Sequence, residues 1–89
     1  MTGLVNVGFG NMVNTDKLVA VVSPDGAPIK RLVQNAREAQ RVVDATQGRK
    51  TKAVLIMEPG YVVLSALQPA PLARRLSLNG LAEPENKSE

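Results

Sequence analysis

Arg49, Lys50 and Lys52 sit in the segment Asp44-Ala45-Thr46-Gln47-Gly48-Arg49-Lys50-Thr51-Lys52, directly before the most apolar run of the chain, Ala53 to Met57. Cations held at the mouth of a rigid hairpin, as this turn is expected to be, can neutralise phosphates. An arginine can do more than a lysine, because its planar guanidinium bridges the two major-groove acceptors of guanine, whereas an ammonium acts as a point charge. Arg49 is therefore the candidate base reader, and Lys50 and Lys52 the candidate positioning contacts. Lys17, which projects from the turn Asn14-Thr15-Asp16, is a fourth candidate and is expected beside them. Gly48 gives the segment backbone freedom, and Asp44, Thr46 and Gln47 are compatible with a turn. The plain alternative is a solvated basic turn that keeps a small protein soluble.

Other chemistry is poorly supplied. The 89 residues contain neither His nor Cys, so the usual ligands of structural zinc are missing and no disulfide can form. The acids Asp16, Asp25, Glu38, Asp44 and Glu58 are scattered, and no nucleophile lies beside a base. Asp16 and Asp44 read as turn residues that cap their own backbone. Gly8-Phe9-Gly10 resembles the start of a dinucleotide fingerprint, but Val13 stands where the third glycine belongs and no helix follows to receive a pyrophosphate. The expectation is a protein without enzymatic activity, cofactor or metal.

The formal charge of +3 is unevenly placed: residues 1–76 carry ten Lys or Arg against five acids, and residues 77–89 carry one Lys against three Glu. A basic body calls for an anionic partner. With Phe9 and Tyr61 as the sole aromatics, a single-stranded nucleic acid would find few rings to stack on, whereas duplex DNA gripped by its phosphates needs none. No apolar run approaches the roughly 20 residues of a membrane span, and the lack of Cys fits a reducing cytoplasm.

The elements that must position these residues form an α+β domain with a small, mostly antiparallel sheet. Leu4–Phe9 and Leu18–Val22 read as strands, Val42-Val43 as a brief one, and 52–57 and 61–67 as a hairpin closed by Glu58-Pro59-Gly60, with Pro59 second and Gly60 third in the turn. Ile29, Leu32, Val33 and Ala36 predict one main amphipathic helix from Pro28 to about Gln40. Its outer side carries Lys30, Arg37 and Arg41, with Arg31 further round, and Lys30 and Arg31 are further candidate phosphate contacts. Gln68-Pro69-Ala70-Pro71 breaks the last strand, and Leu72–Leu76 is expected as one helical turn. Residues 1–76 make one domain, and 77–89 an acidic, disordered tail. The hairpin strands are apolar at consecutive positions, so both sheet faces must be covered. One helix covers one face, and a second copy of the chain is the expected cover for the other, giving a homo-oligomer.

Four blocks carry a resemblance: Asn6-Val7-Gly8-Phe9-Gly10-Asn11; Ser23-Pro24 with Ala27-Pro28-Ile29-Lys30-Arg31; Asp44-Ala45-Thr46 with Gly48-Arg49-Lys50-Thr51-Lys52-Ala53-Val54; and Leu64-Ser65-Ala66 with Gln68-Pro69. In this order, from about Thr2 to Leu76, the chain resembles the RemA family of bacterial extracellular-matrix regulators. The resemblance implies a nucleoid-associated transcriptional regulator of biofilm-matrix genes, assembled into a ring-like homo-oligomer that bends or wraps double-stranded DNA. It places family DNA-binding positions on Lys17, Arg49 and Lys50. The family often has Arg where this chain has Lys17, Lys50 and Lys52; phosphate contact survives that change, whereas bidentate base contact needs the guanidinium. Two other readings stand beside it: a non-specific architectural protein of the nucleoid, and an adaptor oligomer that meets an acidic protein partner.

Overall fold

The computed structural model describes residues 3–78, without the side chains of Ser77 and Leu78. The assignment of 77–89 as a disordered tail therefore lies almost wholly outside the described residues. Six strands and two helices follow in the order β1 (Leu4–Asn6), β2 (Met12–Asn14), a 3₁₀ turn (Thr15–Lys17), β3 (Leu18–Val22), α1 (Ala27–Glu38), β4 (Val42–Asp44), β5 (Ala53–Met57), β6 (Tyr61–Ser65) and α2 (Pro69–Leu78). The fold is α+β, as expected, but it holds two sheets rather than one. β1 and β2 form an antiparallel pair, and a four-stranded sheet runs β3-β5-β6-β4. β4 lies parallel to β6, and the other neighbours are antiparallel.

The predicted strand over Leu4–Phe9 stops at Asn6. Gly8, Phe9 and Gly10 all take positive φ (116°, 55° and 79°), which no strand accommodates. Asn6 accepts the Gly8 amide through Oδ1 at 2.7 Å, and the Val7 amide donates to the Asn11 carbonyl at 2.8 Å, so the chain reverses into β2. The β5–β6 hairpin is present, but its turn is shifted. The Gly60 amide donates to the Met57 carbonyl at 2.9 Å, and the Glu58–Pro59 bond is cis, so Pro59 stands third and Gly60 fourth.

Helix α1 starts at Ala27, one residue before Pro28, and ends two residues earlier than expected. Its end is a Schellman arrangement with Gln40 at φ 60°: the Arg41 amide donates to the Ala36 carbonyl (2.8 Å) and the Gln40 amide to that of Arg37 (3.1 Å). The longest departure is α2. Pro69 and Pro71 do not merely break the strand; they occupy the first turn of a ten-residue helix, where a missing N–H leaves no hydrogen bond unmade.

These differences settle how the sheet is covered. Ala36 of α1 packs with Val54, Val62 and Leu64, joined by half-buried Ile29, Val33 and Val42. On the opposite face Ala53, Leu55, Met57 and Val63 pack with Val5, Val7 and Val13 of the N-terminal hairpin and with Leu72 and Leu76 of α2. The chain thus covers both faces of its own central strands. The doubly apolar pattern of β5 and β6 is explained within one copy, and the expectation that a second copy covers the other face is not met.

Candidate nucleic-acid interface

The segment from Ala45 to Lys52 joins β4 to β5, which lie on either side of β6, so it is a crossing over the end of β6 rather than a hairpin turn. It is anchored at both ends. The Ala45 amide donates to the Leu64 carbonyl at 2.9 Å and the Lys52 amide to the Ser65 carbonyl at 2.8 Å. Between these points Ala45 and Thr46 are buried. Asp44 Oδ1 accepts both the Thr46 amide (2.9 Å) and the Thr46 hydroxyl (2.6 Å). These two bonds hold the Asp44 carboxyl below its usual range against the opposing effect of burial, with a lesser contribution from the Arg37 charge. The Arg49 amide donates to the Thr46 carbonyl at 3.0 Å across a turn whose central residues, Gln47 and Gly48, have φ of 56° and 78°. Those are the φ signs of a type I′ turn, and they are why a glycine is useful at position 48. Arg49 therefore leaves a fixed backbone.

Its side chain crosses to the N-terminal hairpin. The Arg49 guanidinium lies 5.5 Å from the centroid of the Phe9 ring, within cation–π range. Beneath the pair opens a cleft of about 540 Å³, lined by Arg49, Lys50, Lys52 and Arg75 together with Phe9 and Asn6 among others. No carboxylate lines this cleft among the described residues. Arg75 is fixed there by its Nη1, which donates to the Asn6 carbonyl at 2.7 Å. A second cleft, of about 330 Å³, shares Lys50 and Lys52 and reaches Ser23, Asp25 and Gln68. On the α1 side, a third of about 230 Å³ joins Thr51 to Lys30 and Arg37.

The structure thus brings Arg49, Lys50, Lys52 and Lys30 to one end of the sheet. Arg31 is exposed on α1 but does not line the Lys30 cleft. Lys17 is elsewhere. Its carbonyl accepts the Glu58 amide at 2.8 Å, and Leu18 pairs with Met57, so it stands beside the β5–β6 turn. Val22, at the other end of β3, pairs with Val54 close to the basic crossing. Four strand steps, on the order of 13 Å, separate the two ends. The expectation that Lys17 lies beside Arg49 in one chain is corrected by this register.

Three residues join the cluster without having been singled out for it: Arg37, Arg75 and Phe9. Arg75 stands on the helical turn expected over Leu72–Leu76, but what brings it to the cleft is a contact with Asn6, 69 residues away in sequence. Phe9 offered one signal, a bulky ring between two glycines.

This is a small two-sheet domain that gathers cations over one end of its central sheet. The chain belongs to the RemA-like family, described as extracellular matrix regulatory protein A-like, whose model matches residues 4–76. It is 52% identical over 77 residues to a protein of Clostridium kluyveri (86% of this chain, 84% of the relative). A protein of Geobacillus kaustophilus is 51% identical over 76 residues (85% and 87%), and one of Lachnoclostridium phytofermentans 53% over 77 (86% and 85%). Their names describe them only as regulatory proteins. No helix among the described residues is long and apolar enough to cross a membrane.

Proposed function

We propose that this RemA-like regulator acts by binding double-stranded DNA and controlling transcription, with Arg49, Lys50 and Lys52 as the principal contacts. The observation that carries this reading is the convergence of Arg49, Lys50, Lys52 and Arg75 on a cleft without carboxylates, flanked by Lys30 and Arg37. Each exposed cation that meets a phosphate releases condensed counterions, so affinity accumulates through many weak contacts. Arg49 is the residue equipped for a bidentate base contact, and the lysines set register and orientation.

The working form in this reading is a ring-like homo-oligomer. Support comes from the surface: Leu4, Met12 and Val19 are each more than half exposed, and β3 and β4 are edge strands of the sheet. The unpaired edges of β3 and β4 are where strands of another copy can add to the sheet. Repetition also resolves the position of Lys17: around a closed assembly, Lys17 of one copy and the basic crossing of the next contribute to a common rim, and bending of the duplex lets it follow that rim. Activation of extracellular-matrix genes is the regulatory outcome in this reading; the family description supports its coarser part, a regulatory role.

Titration of a labelled duplex between 50 and 200 mM salt, with light scattering on the free protein and the complex, tests the reading. The expected result is an oligomer whose affinity falls steeply with salt. A monomer that ignores duplex DNA overturns it. The absence of salt-dependent DNA binding, together with a stable complex with an acidic protein on pull-down, would make the chain an adaptor instead. Competition between a promoter fragment and random DNA separates a site-specific regulator from an architectural one.

A further inference from the structure

We propose that Phe9 orients Arg49 for its contact with DNA, a role that rests on the DNA-binding reading above. Phe9 is an unusual residue twice over. Its φ of 55° is a left-handed conformation that a bulky side chain rarely adopts, and its ring is 50% exposed. Nothing in core packing accounts for keeping a ring there. The loop that carries it is nevertheless tightly determined. The Gly8 amide donates to Asn6 Oδ1, and the Gly8 carbonyl accepts both the backbone amide and Nδ2 of Asn11, each at 3.0 Å. Next to Gly8, the Val7 carbonyl accepts the buried Ser65 hydroxyl at 2.7 Å. A strained residue held by so many bonds points to a task.

That task is visible in the geometry. The turn at 46–49 fixes the Arg49 backbone but leaves its long side chain free to rotate. Seated 5.5 Å from the ring centroid, the guanidinium is restrained by its face. Among the described residues no hydrogen bond or ion pair engages its N–H groups. A face-held guanidinium loses less freedom when its edge meets two acceptors, so part of the cost of binding is met in the free protein. Lys50 and Lys52 have no such support, and the cation selected for it is the one suited to bidentate recognition. Phe9 is thus a positioning residue, acting through Arg49.

The test compares Phe9→Leu, which keeps apolar bulk without a π face, with Phe9→Tyr, which restores the face. In the free protein, the ring current of Phe9 shifts the Arg49 side-chain NMR resonances; Phe9→Leu should return them to exposed-arginine positions, and Phe9→Tyr should not. Duplex affinity should fall about threefold in Phe9→Leu, recover in Phe9→Tyr, and show an unchanged salt slope because no charge is lost. In an Arg49→Ala background, Phe9→Leu should have no further effect. Unmoved Arg49 resonances overturn the proposal whatever the partner. An equal loss in both backgrounds also overturns it, because the ring then touches DNA or supports the fold directly. Wild-type binding with an unaffected Phe9→Leu variant defeats this inference alone, whereas failure of the wild type to bind duplex defeats the function with it.

Discussion

Two arginines of this small domain rest on its two aromatic rings, at opposite ends of the sheet. Arg41 lies 5.3 Å from the centroid of Tyr61, and its Nη1 also donates to the Pro59 carbonyl at 3.1 Å. Its own carbonyl accepts the Val62 amide at 2.9 Å, and its amide completes the end of α1. Arg41 is therefore a strap: it ties a helix end to a hairpin turn. Arg49 has the ring and no such carbonyl. The same pair of residue types closes the fold at one end and leaves a cation on offer at the other. What distinguishes them is where the guanidinium edges go, a matter of backbone acceptors rather than of charge.

Substitutions can break that contrast. Arg49→Ala with Lys50→Ala should cost about 2–4 kcal/mol of duplex affinity and lower the salt slope by roughly two, with little change in thermal midpoint. Fluorescence anisotropy across salt concentrations, with thermal melting as the control, reads both quantities. Ser65→Ala should destabilise by about 1–3 kcal/mol, because it leaves the buried Val7 carbonyl without its donor. Urea melts measure this, and the Arg49–Phe9 pair should loosen while Arg41–Tyr61 stays intact. Arg41→Ala reverses the first result: about 1 kcal/mol of stability should be lost and duplex affinity retained. If Arg41→Ala weakens DNA binding as much as Arg49→Ala does, the contrast between strap and contact fails.

The smallest effect concerns acid. The folded Asp44 carboxyl titrates below its ordinary value of 3.8, so its contribution is fully present above that pH and is lost as pH falls through the lower, folded value. Asp44→Asn should therefore lower stability slightly at neutral pH, where that contribution is present, and leave less to lose below about pH 4, so the acid side of the profile flattens, as acid titration followed by circular dichroism would show.

The contrast also marks what could be read from the chain alone. Helix α1 was legible because Ile29, Leu32, Val33 and Ala36 repeat at helical spacing, and the β5–β6 hairpin because Pro59-Gly60 punctuates two apolar runs. The basic triplet was legible because its members are neighbours in sequence. Coverage of the second sheet face was not. It depends on strands of three residues, too short to show alternation, and on a helix whose opening prolines imitate a break. The position of Lys17 was missed for a related reason: strand register decides it, and register is a tertiary property. Arg75 and Phe9 join the cleft through contacts with Asn6 and Arg49, far from them in sequence.

The gathering of Arg49, Lys50, Lys52, Arg75, Lys30 and Arg37 at one end has a kinetic consequence. The opposite end carries Asp16 and Glu58 beside Lys17 and Arg41, so positive charge is weighted toward the basic crossing. Such a molecule is turned by the field of a polyanion before the surfaces touch, and it arrives open end first. Its encounter rate should therefore fall with added salt well before its short-range contacts weaken, because orientation at a distance is screened over about 10 Å at 0.1 M.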